Sequence, residues 1–301
     1  MPYDFSNYLV IGISSRALFD LTEESKIFET KGLEEFTKYQ IENEDNPLKP
    51  GIGFSLINGL LRLNTLVNNE RKTEVIIMSK NNPDTSLRIF NSIEHYNVDI
   101  TRAALTSGRS LVPYLKAFNV DLFLSADEED VQDAIDSGIA AGLIYESSAS
   151  YDEEPLKEIK IAFDGDAVLF SDESEKIYKE KGLEAFVEHE RINARKPLPE
   201  GPFAKLLRTL SFLQKELKED NPIRTALVTA RSSPAHERVI RTLRAWGIRI
   251  DEAFFLGGAP KKSILKAFGA HIFFDDQEIH LSNNEVPSAR VPYKTEGREV
   301  K

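Results

Sequence analysis

Four short segments in the second half of the chain place reactive side chains directly after apolar runs. Asp164-Gly165-Asp166 follows residues 159–163, and Thr229-Ala230-Arg231 follows residues 225–228. Gly257-Gly258 and then Lys261 follow residues 253–256, and Asp275-Asp276 follows residues 271–274. In an open α/β sheet ligands bind at the carboxyl ends of the strands. If each run is a strand, two acidic clusters, a hydroxyl and a lysine converge on one rim.

Those residue types suit phosphoryl transfer. Asp164 can attack phosphorus and form an aspartyl phosphate. Asp166, two residues on, can protonate the leaving oxygen and later activate water. Asp275 and Asp276 add the negative charge that holds Mg²⁺ through oxygen ligands, and the cation offsets repulsion between carboxylate and phosphate. Lys261 and Thr229 are placed to bind phosphate oxygens as charge shifts. Taken singly, Asp-Gly-Asp is a turn, Asp-Asp a surface loop, Thr229 a helix cap and Lys261 a solvated side chain. Their occurrence in order, each after its own strand, favours the catalytic reading.

The elements that must hold them alternate. Helices are expected over 173–190, 203–218 and 234–246, the last with Pro234 in its first turn and Gly247 after its end. Strands alternating with amphipathic helices give a parallel, doubly wound α/β sheet.

The chain is also internally repeated. Lys31-Gly32-Leu33-Glu34 recurs 150 residues on as Lys181-Gly182-Leu183-Glu184, and Lys26-Ile27-Phe28 as Lys176-Ile177-Tyr178. Pro47-Leu48 recurs as Pro197-Leu198, Gly51 as Gly201, and Lys116-Ala117-Phe118 as Lys266-Ala267-Phe268. A repeat this long is a duplicated domain and not a solenoid unit. Two tandem Rossmann-like domains are expected, 1–150 and 151–301, joined near 146–155, with a small helical cap at about 170–220 and a polar, extended or disordered tail at 282–301.

Bulk composition narrows the partners. The 301 residues carry a formal net charge of −11, which repels a long polyanion, so nucleic acid is excluded as a partner. There are no cysteines, hence no disulfides, thiol nucleophile or thiolate zinc site, in keeping with a reducing cytoplasm. The apolar runs are too short to span a membrane, and Met1 to Tyr8 lacks the layout of a secretory signal.

The order Asp-x-Asp, Thr, Lys, Asp-Asp is similar to that of the haloacid-dehalogenase superfamily of aspartyl-phosphate phosphatases. The strings Phe163-Asp-Gly-Asp-Ala-Val-Leu-Phe-Ser-Asp-Glu173, Val228-Thr-Ala-Arg-Ser-Ser-Pro-Ala-His-Glu-Arg238, Phe254-Phe-Leu-Gly-Gly258 and Phe273-Phe-Asp-Asp-Gln277 resemble the cytosolic type I 5′-nucleotidase family. So do Ser14-Ser-Arg-Ala-Leu-Phe-Asp20 and Asn91-Ser-Ile-Glu-His-Tyr96 in the first half. The resemblance implies a cytoplasmic, haloacid-dehalogenase-like, Mg²⁺-dependent hydrolase of nucleoside 5′-monophosphates. It assigns Asp164 as nucleophile, Asp166 as acid/base, Thr229 and Lys261 as phosphate ligands, and Asp275 and Asp276, with Asp164 and Asp166, as the metal set. One departure is Ala259-Pro-Lys-Lys262, where relatives have Leu-Asp-Lys-Gly: Lys262 stands next to Lys261 as a substitute. Two other readings stay open: a phosphatase of the same mechanism on another small phosphomonoester, and a nucleotide-binding sensor without turnover. Base, sugar and oligomeric state are not legible.

At the 150-residue offset, Asp164 maps to Ser14, Asp166 to Arg16, Lys261 to Leu111, and Asp275 and Asp276 to Ser125 and Ala126. One extra residue is expected before Thr229, which then maps to Met78. The first half therefore loses the chemistry. It is either a structural partner or a metal-free anion site built on Ser14, Arg16, Lys80 and Arg109. Because animal members of the resembled family respond to nucleoside diphosphates, such a site would take a nucleotide effector.

Phe186 and Tyr178 fall in the cap region and read as core before base-stacking groups. The five histidines lack paired metal spacing, and His236 is expected in solvent. Gly51-Ile52-Gly53 reads as a turn, since it lacks the third glycine of a dinucleotide fingerprint.

Overall fold

The computed structural model describes residues 5, 8–66, 71–144, 157–218, 221–281 and 285–295. Leu9–Ile13 (β1) is an unbroken apolar run with every residue buried, as is Thr73–Ser79 (β4) apart from its polar ends and Glu74. Runs of this kind belong to parallel strands covered on both faces. Further strands are Phe19–Asp20 (β2), Lys49–Pro50 (β3), Arg102–Leu105 (β5), Leu122–Ser125 (β6) and Ala140–Ile144 (β7). Ile159–Phe163 (β8), Ile223–Thr229 (β9), Glu252–Phe255 (β10), Ile272–Asp275 (β11) and Ser288–Arg290 (β12) follow.

Ten of them form one sheet, in the order β10-β9-β8-β11-β12-β7-β6-β1-β4-β5. Every neighbouring pair is parallel except β12 and β7, where Ala289 pairs with Ile144 and Arg290 with Leu143. That antiparallel pair is where the two halves of the chain meet. The expected join at 146–155 lies outside the described residues. Among the described residues no helix is long and apolar enough to cross a membrane.

The 150-residue offset reappears in the strand registers. Leu9 pairs with Thr73 and Ile159 with Ile223. Ile76 pairs with Arg102 and Ala226 with Glu252. Ile11 pairs with Leu122 and Ile161 with Ile272. Hydrogen bonds repeat too: Leu48 N–H donates to Ser92 Oγ and Leu198 N–H to Thr242 Oγ1, each at 2.9 Å. Because β4 and β9 have equal length and register, no extra residue precedes Thr229. Its counterpart is Ser79, not Met78: Ser79 Oγ accepts from Asn81 N–H (3.1 Å) as Thr229 Oγ1 accepts from Arg231 N–H (3.2 Å).

The recurring Lys-Gly-Leu-Glu string has a backbone cause. Helices Thr22–Glu42 and Glu173–Ile192 are each broken in the middle, at Gly32 (φ 84°, ψ −178°) and Gly182 (φ 81°, ψ −178°). No side chain crowds either glycine, so the left-handed φ, not space, selects the residue.

One expectation needs correction, and of the two alternatives for the tail the structure takes the extended one. Helix Ala204–Leu217 buries Leu206, Leu207, Leu210, Leu213 and Leu217 in the main core, so it is not a second cap helix. Within 170–220 it is the broken helix Glu173–Ile192 that has few buried residues. The 285–295 part of the tail is not disordered: Ser288–Arg290 pairs as a strand and Ala289 and Val291 are fully buried. Its apolar residues are too sparse to announce a strand.

Candidate active site

Strand ends on adjacent parallel strands set the site. Asp164 follows β8, and its N–H donates to Phe274 O at 2.8 Å, which fixes it beside Asp275 at the end of β11. Thr229 ends β9 on the other side of β8. The chain then turns tightly through Gly165–Leu169, with Ala167 at φ 63°. Gly165 has little room: an added Cβ would lie 3.3 Å from Thr229 Oγ1.

Asp164, Asp275 and Asp276 come together, each offering a carboxylate oxygen within 4.8 Å of the others, and all three are buried. Lys261, at the start of helix Lys261–Phe268, sends its Nζ to 2.7 Å from Asp164 Oδ1 and 2.7 Å from Asp275 Oδ2. Lys262 instead faces Glu285 at 3.6 Å and is half exposed, so of the two lysines it is Lys261 that reaches the carboxylates.

The charges do not balance. One ammonium faces three buried carboxylates. Burial, with Asp275 and Asp276 adding and Lys261 opposing, lifts the Asp164 carboxyl well above the usual range. Burial also pushes Asp276 up to about 7, opposed by a hydrogen bond from Tyr293 and assisted by Asp275. Burial alone would lower the Lys261 ammonium pKa, but Asp164 and Asp275 outweigh it and raise it. Asp276 Oδ1 is buried without a hydrogen-bond partner. An orphaned carboxylate oxygen in an acidic, oxygen-only cluster fits a hard divalent cation such as Mg²⁺.

Asp166 stands apart from the three. Its two oxygens accept from Arg231, Oδ2 from Nε at 2.8 Å and Oδ1 from Nη2 at 2.7 Å. Arg231 Nη1 also donates to Glu190 Oε2, on the broken helix. Burial opposes the Arg231 charge, but Asp166 and Glu190 outweigh it and raise its pKa.

The sequence reading missed Arg231, Glu190 and Tyr293. Tyr293 lies between Asp276 Oδ2 and Glu175 Oε2, the latter at 2.8 Å. Its single proton serves one acceptor at a time. Arg231 stands two residues past β9, yet only its contact across 65 residues reveals what it holds.

The first-half candidates do not converge. Ser14 Oγ caps helix Ser15–Leu18, accepting from Ala17 N–H at 3.3 Å. Lys80 is tied to Asp130 at 2.7 Å, and Arg109 is exposed. Arg16 lines a cleft of about 570 Å³ with Phe19, Asp20, Thr22, Lys26 and Ile52, to which neither Lys80 nor Arg109 contributes. Of the tempting aromatics, Phe186 is buried, but Tyr178 is 51% exposed and not core. His236 is half-buried against Phe255, ring centroids 5.8 Å apart, and is not in open solvent.

The fold and this site define a mixed α/β protein with a buried carboxylate–lysine cluster at the carboxyl ends of its parallel strands. The chain belongs to the 5′-nucleotidase family, whose model matches residues 1–298. It is 42% identical over 288 residues to the human protein "Cytosolic 5'-nucleotidase 1B", a match covering 91% of this chain and 47% of that protein. The chain thus spans about half the length of this curated relative. No solved structure matches it.

Proposed function

We propose that this chain is a cytoplasmic, Mg²⁺-dependent 5′-nucleotidase that hydrolyses nucleoside 5′-monophosphates through an aspartyl phosphate. The observation that carries the reading is the meeting of Asp164, Asp275 and Asp276 within 4.8 Å, with Lys261 bridging Asp164 and Asp275. The 5′-nucleotidase family match and the human relative named as cytosolic support substrate class and compartment.

In this mechanism Asp164 attacks phosphorus in line and the phosphorus–ester oxygen bond breaks. Asp166 gives its proton to the departing ribose oxygen. Asp166 then takes a proton from water as that water attacks the aspartyl phosphate, returning Asp164 and releasing phosphate. Lys261 and Thr229 hold phosphate oxygens where charge grows. Mg²⁺ held by Asp164, Asp275 and Asp276 would offset the repulsion between carboxylate and phosphate. Asp166, locked to Arg231, is left out of the side-chain ligand set.

The repeated registers support a tandem duplication of haloacid-dehalogenase-like domains, at 1–150 and 151–301, of which only the second keeps the acids. The segment 173–192 is the cap. In the first half an anion effector would use the Arg16 cleft and not Lys80, which Asp130 already neutralises. Calorimetry of nucleoside diphosphate binding to Asp164→Asn tests that site: loss on Arg16→Ala supports it, and a single nucleotide site removes it.

The function itself is tested with purified protein across nucleoside monophosphates and sugar phosphates, with Mg²⁺ or EDTA. A nucleotidase favours the former by kcat/KM and stops in EDTA. Preference for a sugar phosphate replaces the substrate class, and binding without phosphate release makes the chain a sensor.

A further inference from the structure

Two buried arginines meet Glu190, and only one has a counterpart. Glu190 accepts from Arg238 Nη1 at 2.8 Å and from Ser174 Oγ at 2.8 Å, and it also accepts from Arg231 Nη1. At the 150-residue offset Arg238 becomes Arg88. Arg88 keeps the same backbone contact, Nε to Asn46 O (2.8 Å), as Arg238 Nε to Lys196 O (3.0 Å). Its acid has moved. Ser174 becomes Glu24, Glu190 becomes Gln40, and Arg88 Nη1 donates to Glu24 at 2.6 Å. This arginine is part of the scaffold of both halves.

Arg231 is different. Its counterpart is Asn81, and the counterpart of its partner Asp166 is Arg16. The half without an acid/base aspartate has neither the guanidinium that would hold it nor the glutamate that anchors that guanidinium. Arg231 is also held from every side: its side chain is 2% exposed, its N–H goes to Thr229 Oγ1, and its guanidinium lies 5.3 Å from the centre of the Phe186 ring. Phe186 and Glu190 are both on the broken helix Glu173–Ile192. A guanidinium that engages both oxygens of a carboxylate fixes its plane as well as its position.

We propose that Arg231 is the positioning residue for Asp166, and that through Glu190 and Phe186 it ties the placement of this acid/base group to the cap helix. The proposal rests on Asp166 acting as acid/base in the phosphatase reading above. When Asp166 donates its proton, one oxygen must leave Arg231 for the ester oxygen. The other stays paired, so the carboxyl turns about a fixed point and does not search. In the first step, formation of the aspartyl phosphate, the positioning matters only for leaving groups that need a proton; in the second, hydrolysis of that intermediate, it matters for every substrate alike.

The test compares AMP, whose ribose oxygen must be protonated to leave, with p-nitrophenyl phosphate, whose phenolate leaves unaided. Read on the first step alone, as leaving-group release in a single turnover, we expect Arg231→Met to lose roughly 10²–10³-fold with AMP, the span of general acid catalysis, and less than about tenfold with p-nitrophenyl phosphate. Asp166→Asn should show the same split. Arg231→Lys, which keeps charge but not the two-pronged contact, should lie between. Amide hydrogen exchange across residues 183–192 should quicken in Arg231→Met with the cap anchor gone. Equal losses on both substrates make Arg231 merely structural, and no loss on either makes it idle; both overturn the proposal. Should wild-type protein turn over neither substrate, the phosphatase reading fails by itself. Unchanged exchange at 183–192 then overturns the cap linkage independently.

Discussion

Lys261 Nζ lies 2.7 Å from Asp164 Oδ1 and 2.7 Å from Asp275 Oδ2, so one buried ammonium serves two strand ends at once. The two carboxylates are brought together by β8 and β11, which run side by side with Phe163 paired to Phe274. Like charges on neighbouring strands are held apart from water, and only a cation makes that arrangement tolerable.

Removing that cation should be costly. Lys261→Met leaves three buried carboxylates without a counter-charge, and stripping one partner from a buried pair costs about 3–5 kcal/mol. Urea unfolding in EDTA measures it. Adding Asp164→Asn to Lys261→Met should recover part of the loss, because the two sites are in contact. A cost under about 1 kcal/mol would mean that the lysine does not carry the electrostatic balance assigned to it.

Tyr293 donates to Asp276 Oδ2. Groups that orient a metal ligand in this way typically change metal affinity about 10–100-fold when removed. Tyr293→Phe should weaken Mn²⁺ or Mg²⁺ binding by that factor in calorimetry while leaving the unfolding midpoint in EDTA nearly unmoved. Unchanged affinity would reduce Tyr293 to packing.

Stability without divalent cations should depend on pH with a definite sign. Burial lifts Asp276 from 3.8 to about 7 on folding. A carboxyl that holds its proton more tightly in the native state contributes stability fully below its unfolded pKa. It loses that contribution as pH rises to the folded value. In EDTA the melting temperature should therefore decline from about pH 4 to pH 7, and Asp276→Asn should flatten the decline. Added Mg²⁺ should raise Tm more at the higher pH, where fewer protons compete for the ligands. A Tm that climbs over this window contradicts the charge distribution described.

The two halves satisfy their scaffold arginine differently, and that is testable by exchange. Glu24→Ser alone strands Arg88 beside Gln40 and should cost about 3–5 kcal/mol. Glu24→Ser with Gln40→Glu installs the arrangement of Ser174 and Glu190 and should recover most of it. A double variant no better than the single one would show that the two arginine sites are not equivalent.

Much of this site was legible because its groups sit one or two residues past apolar runs, so that strand ends alone line up Asp164, Thr229 and Asp275. The repeated helix break was legible in Lys-Gly-Leu-Glu because a left-handed φ demands glycine at the same place twice. Arg231, Glu190 and Tyr293 were not, since each acts through a contact far along the chain that no local pattern encodes. The slip of Thr229 onto Met78 came from supposing an inserted residue that the paired strands do not contain. Strand β12 stayed hidden because Ala289 is its one apolar residue, followed by Val291 just past its end, in a polar tail.

The most direct measurement is Mg²⁺-dependent phosphate release from nucleoside monophosphates by the wild-type chain beside Asp164→Asn, with thermal melting of both. The account predicts turnover in the wild type that EDTA abolishes. It predicts none in Asp164→Asn, whose melting temperature in EDTA should be equal or higher because a buried, strained charge is gone. Phosphate release that survives in a folded Asp164→Asn protein would contradict it.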